Sequence, residues 1–284
     1  MFSDILLTVD FDRTLTGPDS KIPQRNLDAI AFFMENGGKF TVNTGRSVAT
    51  FHKYLGNLPL NAPVLMYNGS ARWEDGKLTQ LKTIDLPMWE TLKVVMEEFP
   101  HMNLEVQGTE YHHLIGVEPA YAAFYDVLGW RSKPAEIGED LGPFLKFALA
   151  GTPRSKNVST LFEHTEAELA AFDDAEKRIQ ALWGDKVVVY RAASRIIDVH
   201  AKGVSKIAAA RQLQQELGRK ILVCVGDAEN DVPMLEGADY AYCPADGVVA
   251  NRFPNVCNCA DGAIADVIYK KIPEILGLSL DIQG

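Results

Sequence analysis

The feature that most constrains the fold is a pair of short, almost wholly apolar runs near opposite ends of the 284-residue chain. The first run is Ile5–Val9 and the second is Lys220–Val225. Runs of this length that are apolar nearly throughout are typical of strands covered on both faces, as in parallel sheets. Acidic residues follow each run directly. The pattern therefore predicts a buried sheet to which both ends of the chain contribute.

Between these two runs, helix and strand patterns alternate through the first third of the chain. Leu27, Ile30 and Met34 recur at helical spacing and would form one face of a helix that ends at Gly37-Gly38. Further strands are predicted at Lys39–Val42 and Val64–Met66. Alternation of this kind is typical of an α/β fold with parallel strands.

The regular alternation of helix and strand patterns is interrupted over the middle of the chain and resumes after His200. An Asp75-Gly76 turn predicts a hairpin just before the change, and Thr165 is a candidate N-cap of a long helix within the insert. We predict a Rossmann-like core formed by residues 1–84 and 200–284, with an α+β cap domain inserted at 85–199.

Composition excludes several classes of function. The formal net charge is −10, which argues against a nucleic-acid partner because phosphate backbones reward a basic surface. An apolar content of 47% is enough for a sizeable core. No apolar run approaches the roughly 18–20 residues of a bilayer span. The first residues lack the basic region of a signal peptide, so we expect a cytoplasmic location and no membrane partner.

The first chemical constellation comes directly after the first apolar run. Alternation along a strand would direct Asp10 and Asp12 to the same side, and the carboxyl end of a central strand faces the crevice where α/β sheets bind ligands. Two turn aspartates that end a strand are the alternative interpretation.

A second acidic constellation follows the second apolar run. Asp227, Asn230 and Asp231 are the residues that carry it. Aspartate and asparagine also cap helices, so the motif alone does not establish a site. Several carboxylates within a few ångströms repel one another and recruit a cation, and hard oxygen ligands favour Mg²⁺.

Two further motifs are suited to an anion. Thr44 and Gly45 follow a strand and precede a helix, where a hydroxyl and free amides can bind phosphate; an ordinary capping turn is the alternative. Lys206 lies at the start of a predicted helix, where a cation opposes the helix macrodipole, and a bound phosphate would explain it. Lys202 competes for the same role.

In this order, the motifs resemble those of the haloacid dehalogenase superfamily of phosphohydrolases. The chain contains D-x-D-x-T at Asp10–Thr14, T-G-R at Thr44–Arg46, G-V-S-K at Gly203–Lys206 and G-D-x-x-N-D at Gly226–Asp231. Each motif is weak alone, but the ordered set is specific. The insert is similar to the large α/β cap of the Cof-type branch in size and texture only.

The resemblance implies a phosphomonoester hydrolase that acts through an aspartyl-phosphate intermediate. It assigns Asp10 as the nucleophile and Asp12 as the general acid/base. It also implies that Asp10, the backbone carbonyl of Asp12 and the carboxylate of Asp227 bind Mg²⁺. The substrate would be a small phosphorylated metabolite, either sugar-like or cofactor-like.

The remaining family positions would hold the phosphate. The resemblance assigns the phosphoryl oxygens to Thr44, Gly45, Lys206 and Asn230, and it makes Asp231 a residue that orients the others. The Asn68-Gly69 pair matches a family motif near the site, although a plain turn would explain it as well.

One position departs from the family pattern. Arg13 follows the second aspartate, where the family usually has glycine. Glycine tolerates a positive φ, and arginine in that geometry would cost about 1 kcal/mol or more. We consider two interpretations: a surface residue with relaxed backbone, or a contact for an anionic substrate.

Two other functions are compatible with the same motifs. A phosphosugar mutase would return the phosphoryl group to a sugar hydroxyl, and a non-catalytic protein would only bind a phosphorylated metabolite. Retention of Asp10, Asp12 and Lys206 argues against the second alternative. The oligomeric state is not predicted.

Overall fold

The computed structural model describes residues 1–154 and 163–278, which form two compact units. Unit 1 consists of Met1–Thr44, Gly56–Lys77 and the residues from Ser205 onward. Unit 2 consists of Gly45–Leu55 and Leu78–Val204. The longer piece of unit 2 overlaps the predicted insert at 85–199, and the shorter piece follows the T-G-R threonine directly. The role of the insert as a cap remains a prediction.

The elements of the described residues are numbered in chain order. The strands are β1 (Ile5–Val9), β2 (Lys39–Val42), β3 (Val64–Met66), β4 (Ala71–Glu74), β5 (Lys77–Thr79), β6 (Asn103–Gln107), β7 (His112–Ile115), β8 (Ser132–Pro134), β9 (Lys146–Ala150), β10 (Val187–Ala193), β11 (Ile196–Ala201), β12 (Ile221–Val225), β13 (Tyr240–Pro244) and β14 (Asn255–Val256). The α-helices are α1 (Gln24–Glu35), α2 (Val48–Phe51), α3 (Met88–Glu98), α4 (Pro119–Leu128), α5 (Glu166–Trp183), α6 (Lys206–Glu216), α7 (Val232–Glu236), α8 (Ala263–Asp266) and α9 (Ile272–Leu276).

Unit 1 is built on a parallel sheet with the strand order β14–β13–β12–β1–β2. Every strand pair in this sheet is parallel, and β1 lies between β12 and β2. All residues of β1 are buried. Leu6 of β1 and Leu222 of β12 share a core cluster with residues of α6 and α7. The predicted α/β class with a parallel-sheet core is confirmed, and the two apolar runs are adjacent strands.

Unit 2 is built on a six-stranded sheet with the order β10–β11–β9–β6–β7–β8. Its strand pairs are antiparallel except β7 with β8. One face packs against α3 and α5 through a cluster that includes Leu104, Val106 and Phe172. The predicted α+β texture of the insert is confirmed. Strand β8 was not predicted, because its Ser-Lys-Pro sequence carries no apolar pattern.

The opposite face of the unit 2 sheet carries buried polar side chains. Glu105 accepts hydrogen bonds from the hydroxyls of Tyr121 (2.9 Å) and Tyr125 and from Gln107 (2.7 Å). Burial opposes ionisation of Glu105, but nearby His112 and the hydrogen bonds from Tyr125 and Gln107 lower its pKa to about 2. This satisfied network explains why tyrosines, rather than purely apolar residues, pack α4 against the sheet.

Two local predictions are confirmed by the backbone. Asp75 and Gly76 both have positive φ, at 50° and 79°, as the turn of a tight hairpin requires, and they join β4 to β5. The hydroxyl of Thr165 accepts a hydrogen bond from the amide of Glu168 and caps α5. Over the described ranges, no helix is both long enough and apolar enough to cross a membrane.

Candidate active site

The carboxyl ends of three adjacent strands bring the first and last motifs together. The amide of Asp10 donates to the carbonyl of Val225 at the end of β12 (2.9 Å). The amide of Asn43 donates to the carbonyl of Val9 at the end of β1 (2.8 Å). The residues that follow β1, β2 and β12 therefore begin side by side at one edge of the sheet, where α/β folds bind ligands.

A buried cluster of three aspartates lies at this edge. Asp10, Asp227 and Asp231 each offer a carboxylate oxygen, and these oxygens lie within 4.8 Å of one another. The ammonium of Lys206 is 2.5 Å from Oδ1 of Asp10 and 2.6 Å from Oδ1 of Asp231. The lysine side chain is only 2% exposed. One buried cation thus bridges two carboxylates that come from distant parts of the chain.

The pKa values in this cluster indicate that Lys206 alone does not neutralise the negative charge of the three buried carboxylates. Burial raises the pKa of Asp10 well above its usual value; Lys206 opposes this shift, while Asp231, Asp12 and Asp227 add to it. Burial, followed by the charge of Asp231, raises the pKa of Asp227 to about 6. Burial disfavours the charged form of Lys206, yet Asp10 and Asp231 raise its pKa above the usual value. A further cation would stabilise the ionised carboxylates.

The cluster is therefore suited to a divalent cation. Its donors are hard carboxylate oxygens that lie close together, and all three aspartates are buried. The third carboxylate in this arrangement is that of Asp231, whereas the sequence prediction used Asp10, Asp12 and Asp227. Asp12 was predicted to contribute its backbone carbonyl, and it is half-buried in the turn after β1.

Asp231 and Thr14 fix the position of Asp227. Oδ2 of Asp231 accepts hydrogen bonds from the amides of Asp227 (3.1 Å) and Ala228 (3.2 Å). The hydroxyl of Thr14 donates to Oδ1 of Asp227 (3.0 Å). Thr14 was part of the first sequence motif but was given no role, although a hydroxyl two residues after the second aspartate was a usable signal.

Arg13 resolves one part of the question that the sequence left open. Its backbone has φ 57° and ψ 13°, in the left-handed region, and its side chain is exposed. The interpretation of a surface residue with a relaxed backbone is therefore wrong as regards the backbone. The turn requires the geometry that glycine adopts freely, and arginine adopts it at a cost of about 1 kcal/mol.

The T-G-R segment divides between the two units. Thr44 is buried in unit 1, where its amide donates to the carbonyl of Leu65 (2.9 Å) and its carbonyl accepts from the amide of Asn68 (3.0 Å). Gly45 is half-buried and groups with unit 2. Ser47 caps the short helix α2 by accepting from the amide of Thr50 (3.3 Å). The capping turn is therefore real, and phosphate binding by Thr44 and Gly45 remains a prediction.

The structure separates the two candidate lysines. Lys206 is the first residue of α6 and lies in the aspartate cluster, whereas Lys202 is exposed and donates to the carbonyl of Gly184 (2.6 Å) in unit 2. Asn43 donates through Nδ2 to the backbone carbonyl of Lys206 (2.9 Å) and so ties the end of β2 to the start of α6. This role of Asn43 was not predicted. Asn230 is half-buried in the turn before α7.

Gly69 supports the same helix start from the other side. Its φ is +97°, and a Cβ atom at this position would lie 2.6 Å from the carbonyl oxygen of Ser205, the N-cap of α6. A side chain at residue 69 would therefore displace the residue next to Lys206. The Asn68-Gly69 pair is more than a plain turn, because Gly69 allows the backbone of Ser205 to approach closely. Ser205 directly precedes Lys206, so this contact helps to position the lysine.

A parallel α/β sheet with a buried aspartate–lysine cluster at its carboxyl edge is suited to binding a metal ion and an anion, and the family match identifies the class. The sequence profile described as haloacid dehalogenase-like hydrolase matches residues 7–265. The chain belongs to this family, and it is an enzyme of the phosphatase type.

Individual relatives are similar over nearly the whole chain. Pyridoxal phosphate phosphatase YbhA of Escherichia coli is 25% identical and covers 94% of this chain and 98% of its own. A 5-amino-6-(5-phospho-D-ribitylamino)uracil phosphatase of Bacillus subtilis, YitU, is 22% identical and covers 87% and 90%. The solved structure of BT4131, a subclass IIB sugar phosphatase, superimposes with a TM-score of 0.73 at 16% identity, covering 96% and 98%.

Proposed function

We propose that the protein is a Mg²⁺-dependent phosphomonoester hydrolase that acts on a small phosphorylated metabolite through an aspartyl-phosphate intermediate. The observation that carries the proposal is the buried contact between Lys206 and Asp10 at the carboxyl end of β1. A carboxylate nucleophile needs a nearby cation to receive a dianionic phosphoryl group, and Lys206 is already in that position.

In the first half of the reaction, a carboxylate oxygen of Asp10 bonds to phosphorus as the bond to the leaving oxygen breaks. Asp12 donates its proton to the leaving oxygen, and the alcohol departs. In the second half, Asp12 takes a proton from water as the water attacks phosphorus, the bond from phosphorus to Asp10 breaks, and inorganic phosphate leaves. The half-buried position of Asp12, two residues after Asp10, supports this exchange with solvent.

The phosphoryl oxygens would be bound by Lys206, Thr44, Gly45 and Asn230. Lys206 is held by Asp10 and Asp231, so its ammonium is oriented before substrate arrives. This fixed charge favours the transition state because little reorganisation is needed during the reaction. Thr44 is supported by main-chain hydrogen bonds to Leu65 and Asn68.

Asp10, Asp227 and the backbone carbonyl of Asp12 would hold Mg²⁺, with Asp231 as the residue that orients them. When bound, the ion offsets negative charge on the transferring group. The raised pKa values of Asp10 and Asp227 support this assignment. Two buried, ionised carboxylates need more positive charge nearby than Lys206 alone provides.

The substrate class is supported by the names of the relatives. One acts on pyridoxal phosphate, one on a phosphorylated ribityl compound, and the BT4131 protein is a sugar phosphatase. The substrates that these names indicate are all small phosphate monoesters. We retain as part of the proposal that the insert at 85–199 acts as a cap and selects the leaving group.

The proposal is tested with 4-nitrophenyl phosphate and Mg²⁺. Wild-type protein should release inorganic phosphate, and Asp10→Asn should release none. Asp12→Asn should retain the first half of the reaction, so protein mass spectrometry should detect a phosphorylated Asp10 peptide that Asp10→Asn cannot form. Asp85→Asn, which changes an exposed aspartate of unit 2, is the matched control and should behave as wild type.

Two results would contradict the proposal. Hydrolysis that persists in Asp10→Asn would contradict the assignment of Asp10 as the nucleophile. Full activity after exhaustive chelation would contradict the dependence on a metal ion. Product analysis with a sugar monophosphate, in the presence of a trace of the corresponding bisphosphate, distinguishes a mutase. A mutase would convert the monophosphate to its positional isomer without net release of inorganic phosphate, whereas a phosphatase would release inorganic phosphate and the free sugar.

A further inference from the structure

Arg13 is a cation at the edge of the aspartate cluster that the proposed reaction does not use. Its side chain is exposed, and its backbone amide donates a hydrogen bond to the hydroxyl of Thr16 (3.3 Å). Among the residues that the structure describes, none forms a hydrogen bond or ion pair with its guanidinium group.

The backbone at Arg13 makes this side chain costly to keep. With φ at 57°, residue 13 occupies a conformation in which glycine would be unstrained. Strained residues that persist beside a reactive cluster point to a role for the side chain. The surrounding turn is well fixed, since the amide of Leu15 donates to the carbonyl of Asp10 and the amide of Thr16 donates to the carbonyl of Phe11.

The hydroxyl of Thr14 donates to Oδ1 of Asp227 (3.0 Å), and this contact places the preceding residue, Arg13, beside the cluster. The guanidinium group of Arg13 forms no ion pair with a carboxylate of the described residues. Its charge contributes to lowering the pKa of Asp227, which burial raises, and it acts in the same direction on Asp246. Asp246 is already engaged, because its two oxygens accept from the amide and the thiol of Cys259 at 2.9 and 3.2 Å. Arg13 thus lies next to the cluster in the turn after β1, and its side chain is exposed to solvent.

Other cations of unit 1 in this region are committed. Lys206 is buried between Asp10 and Asp231. Arg252 is paired with Glu229 (2.9 Å) and Glu236 (3.5 Å). A substrate with a second negative group would meet an excess of carboxylates here unless Arg13 received that group. Guanidinium binds carboxylate and phosphate through two parallel hydrogen bonds, which makes it selective for them.

We propose that Arg13 is a specificity-determining residue that binds a second anionic group of the substrate, a carboxylate or another phosphoryl group, beside the phosphoryl group attacked by Asp10. This inference rests on the proposed function. It defines the substrate as a phosphate monoester with another negative charge close to the ester, which is a narrower class than the small phosphate monoesters of the proposed function.

The test compares two substrates that differ only in that charge. In 3-phosphoglycerate a carboxylate occupies the place of the neutral hydroxymethyl group of glycerol 3-phosphate. The selectivity is the kcat/KM for the first divided by the kcat/KM for the second. In Arg13→Gly, which removes the charge and suits the backbone, selectivity should fall about tenfold or more, as expected for a lost charge-assisted hydrogen bond. Most of the change should appear in KM for the charged substrate.

Two further variants control the result. Arg13→Lys retains the charge but loses the planar fork, so it should keep part of the selectivity. Lys220→Gln removes one exposed positive charge just before β12, at the opposite edge of the sheet, and its selectivity should equal that of wild type.

The outcomes separate this inference from the proposed function. If wild type hydrolyses the phosphates but its selectivity is the same in Arg13→Gly, the role of Arg13 is overturned and the phosphatase stands. If wild type prefers the neutral substrate, the inference is likewise overturned. If folded wild type with Mg²⁺ releases phosphate from neither substrate nor from 4-nitrophenyl phosphate, the proposed function fails and the role of Arg13 fails with it.

Discussion

The ammonium of Lys206 lies 2.5 Å from Oδ1 of Asp10, although 196 positions separate the two residues in the sequence. The same nitrogen lies 2.6 Å from Asp231, and all three side chains are buried. This lysine is therefore a structural counterion as well as the proposed phosphate ligand. Its replacement should affect the fold and the chemistry together.

We expect Lys206→Met to lower both stability and turnover. Two buried carboxylates would lose their cation, and breaking a buried pair in this way costs about 3–5 kcal/mol. Urea denaturation measures the loss, and phosphate release should fall by at least about 100-fold, as for other lost electrostatic ligands. Lys220→Gln, an exposed charge, should change neither quantity. A Lys206→Met protein with wild-type stability would show that the pair is not formed in solution.

Asp231→Asn should weaken metal binding. Asp231 holds the amides of Asp227 and Ala228, and loss of such an orienting partner typically costs about 10–100-fold in metal affinity. Calorimetric titration with Mg²⁺ measures the effect. Glu229→Gln is the matched control, because Glu229 is close in sequence but exposed and paired with Arg252. Equal affinities for the two variants would contradict the orienting role.

Gly69→Ala should impair catalysis from a position that touches no substrate. The added Cβ would meet the carbonyl oxygen of Ser205 at 2.6 Å and shift the start of α6, where Lys206 lies. Misplacement of a catalytic group by about 1 Å can reduce the rate by about 100-fold. Steady-state kinetics and thermal unfolding measure the result.

Gly76→Ala separates that clash from backbone strain. Gly76 also has a positive φ, at +79°, but a Cβ there would meet nothing within 4 Å. This control should lose about 1 kcal/mol of stability and keep its turnover. If both alanine variants keep full activity, the contact between Gly69 and Ser205 does not position Lys206.

The pH dependence of stability should reveal the raised pKa of Asp227. In the metal-free protein this pKa is about 6, against a usual value of 3.8, so the native state binds the proton more tightly than the unfolded state. The contribution of Asp227 to the free energy of unfolding should then fall as pH rises from about 4 to about 6, by about 1.4 kcal/mol per unit.

This contribution is isolated by comparison with Asp227→Asn, which cannot titrate. The difference in unfolding free energy between wild type and variant should decline over that interval and stay constant above it. Saturating Mg²⁺ should reduce the decline, because the ion stabilises the ionised carboxylate. A difference that rises with pH would mean that the pKa of Asp227 is lowered in the fold.

Local features of the fold were predictable because they depend on residues close in sequence. The apolar runs of β1 and β12, the Asp75-Gly76 turn and the Thr165 cap all follow from side-chain periodicity and turn chemistry. Strand β8 was missed because its partner β7, rather than its own sequence, makes it a strand. The strained backbone of Arg13 also lies outside local rules, which favour glycine there.

The sequence by itself determined the α/β alternation, the strand ends at which Asp10, Asp12, Thr44 and Asp227 lie, and the family to which the chain is similar. These are local or ordered properties of the chain. The resemblance already favoured Lys206 over Lys202 and made Asp231 an orienting residue. Only the tertiary structure decided through which contacts they act, the ammonium of Lys206 with Asp10 and the carboxylate of Asp231 with the amide of Asp227, and that Gly69 makes room for α6. Such contacts depend on which strands become neighbours. Burial then shifts the pKa values of the residues that meet there, and these shifts depend on the whole cluster rather than on any one residue.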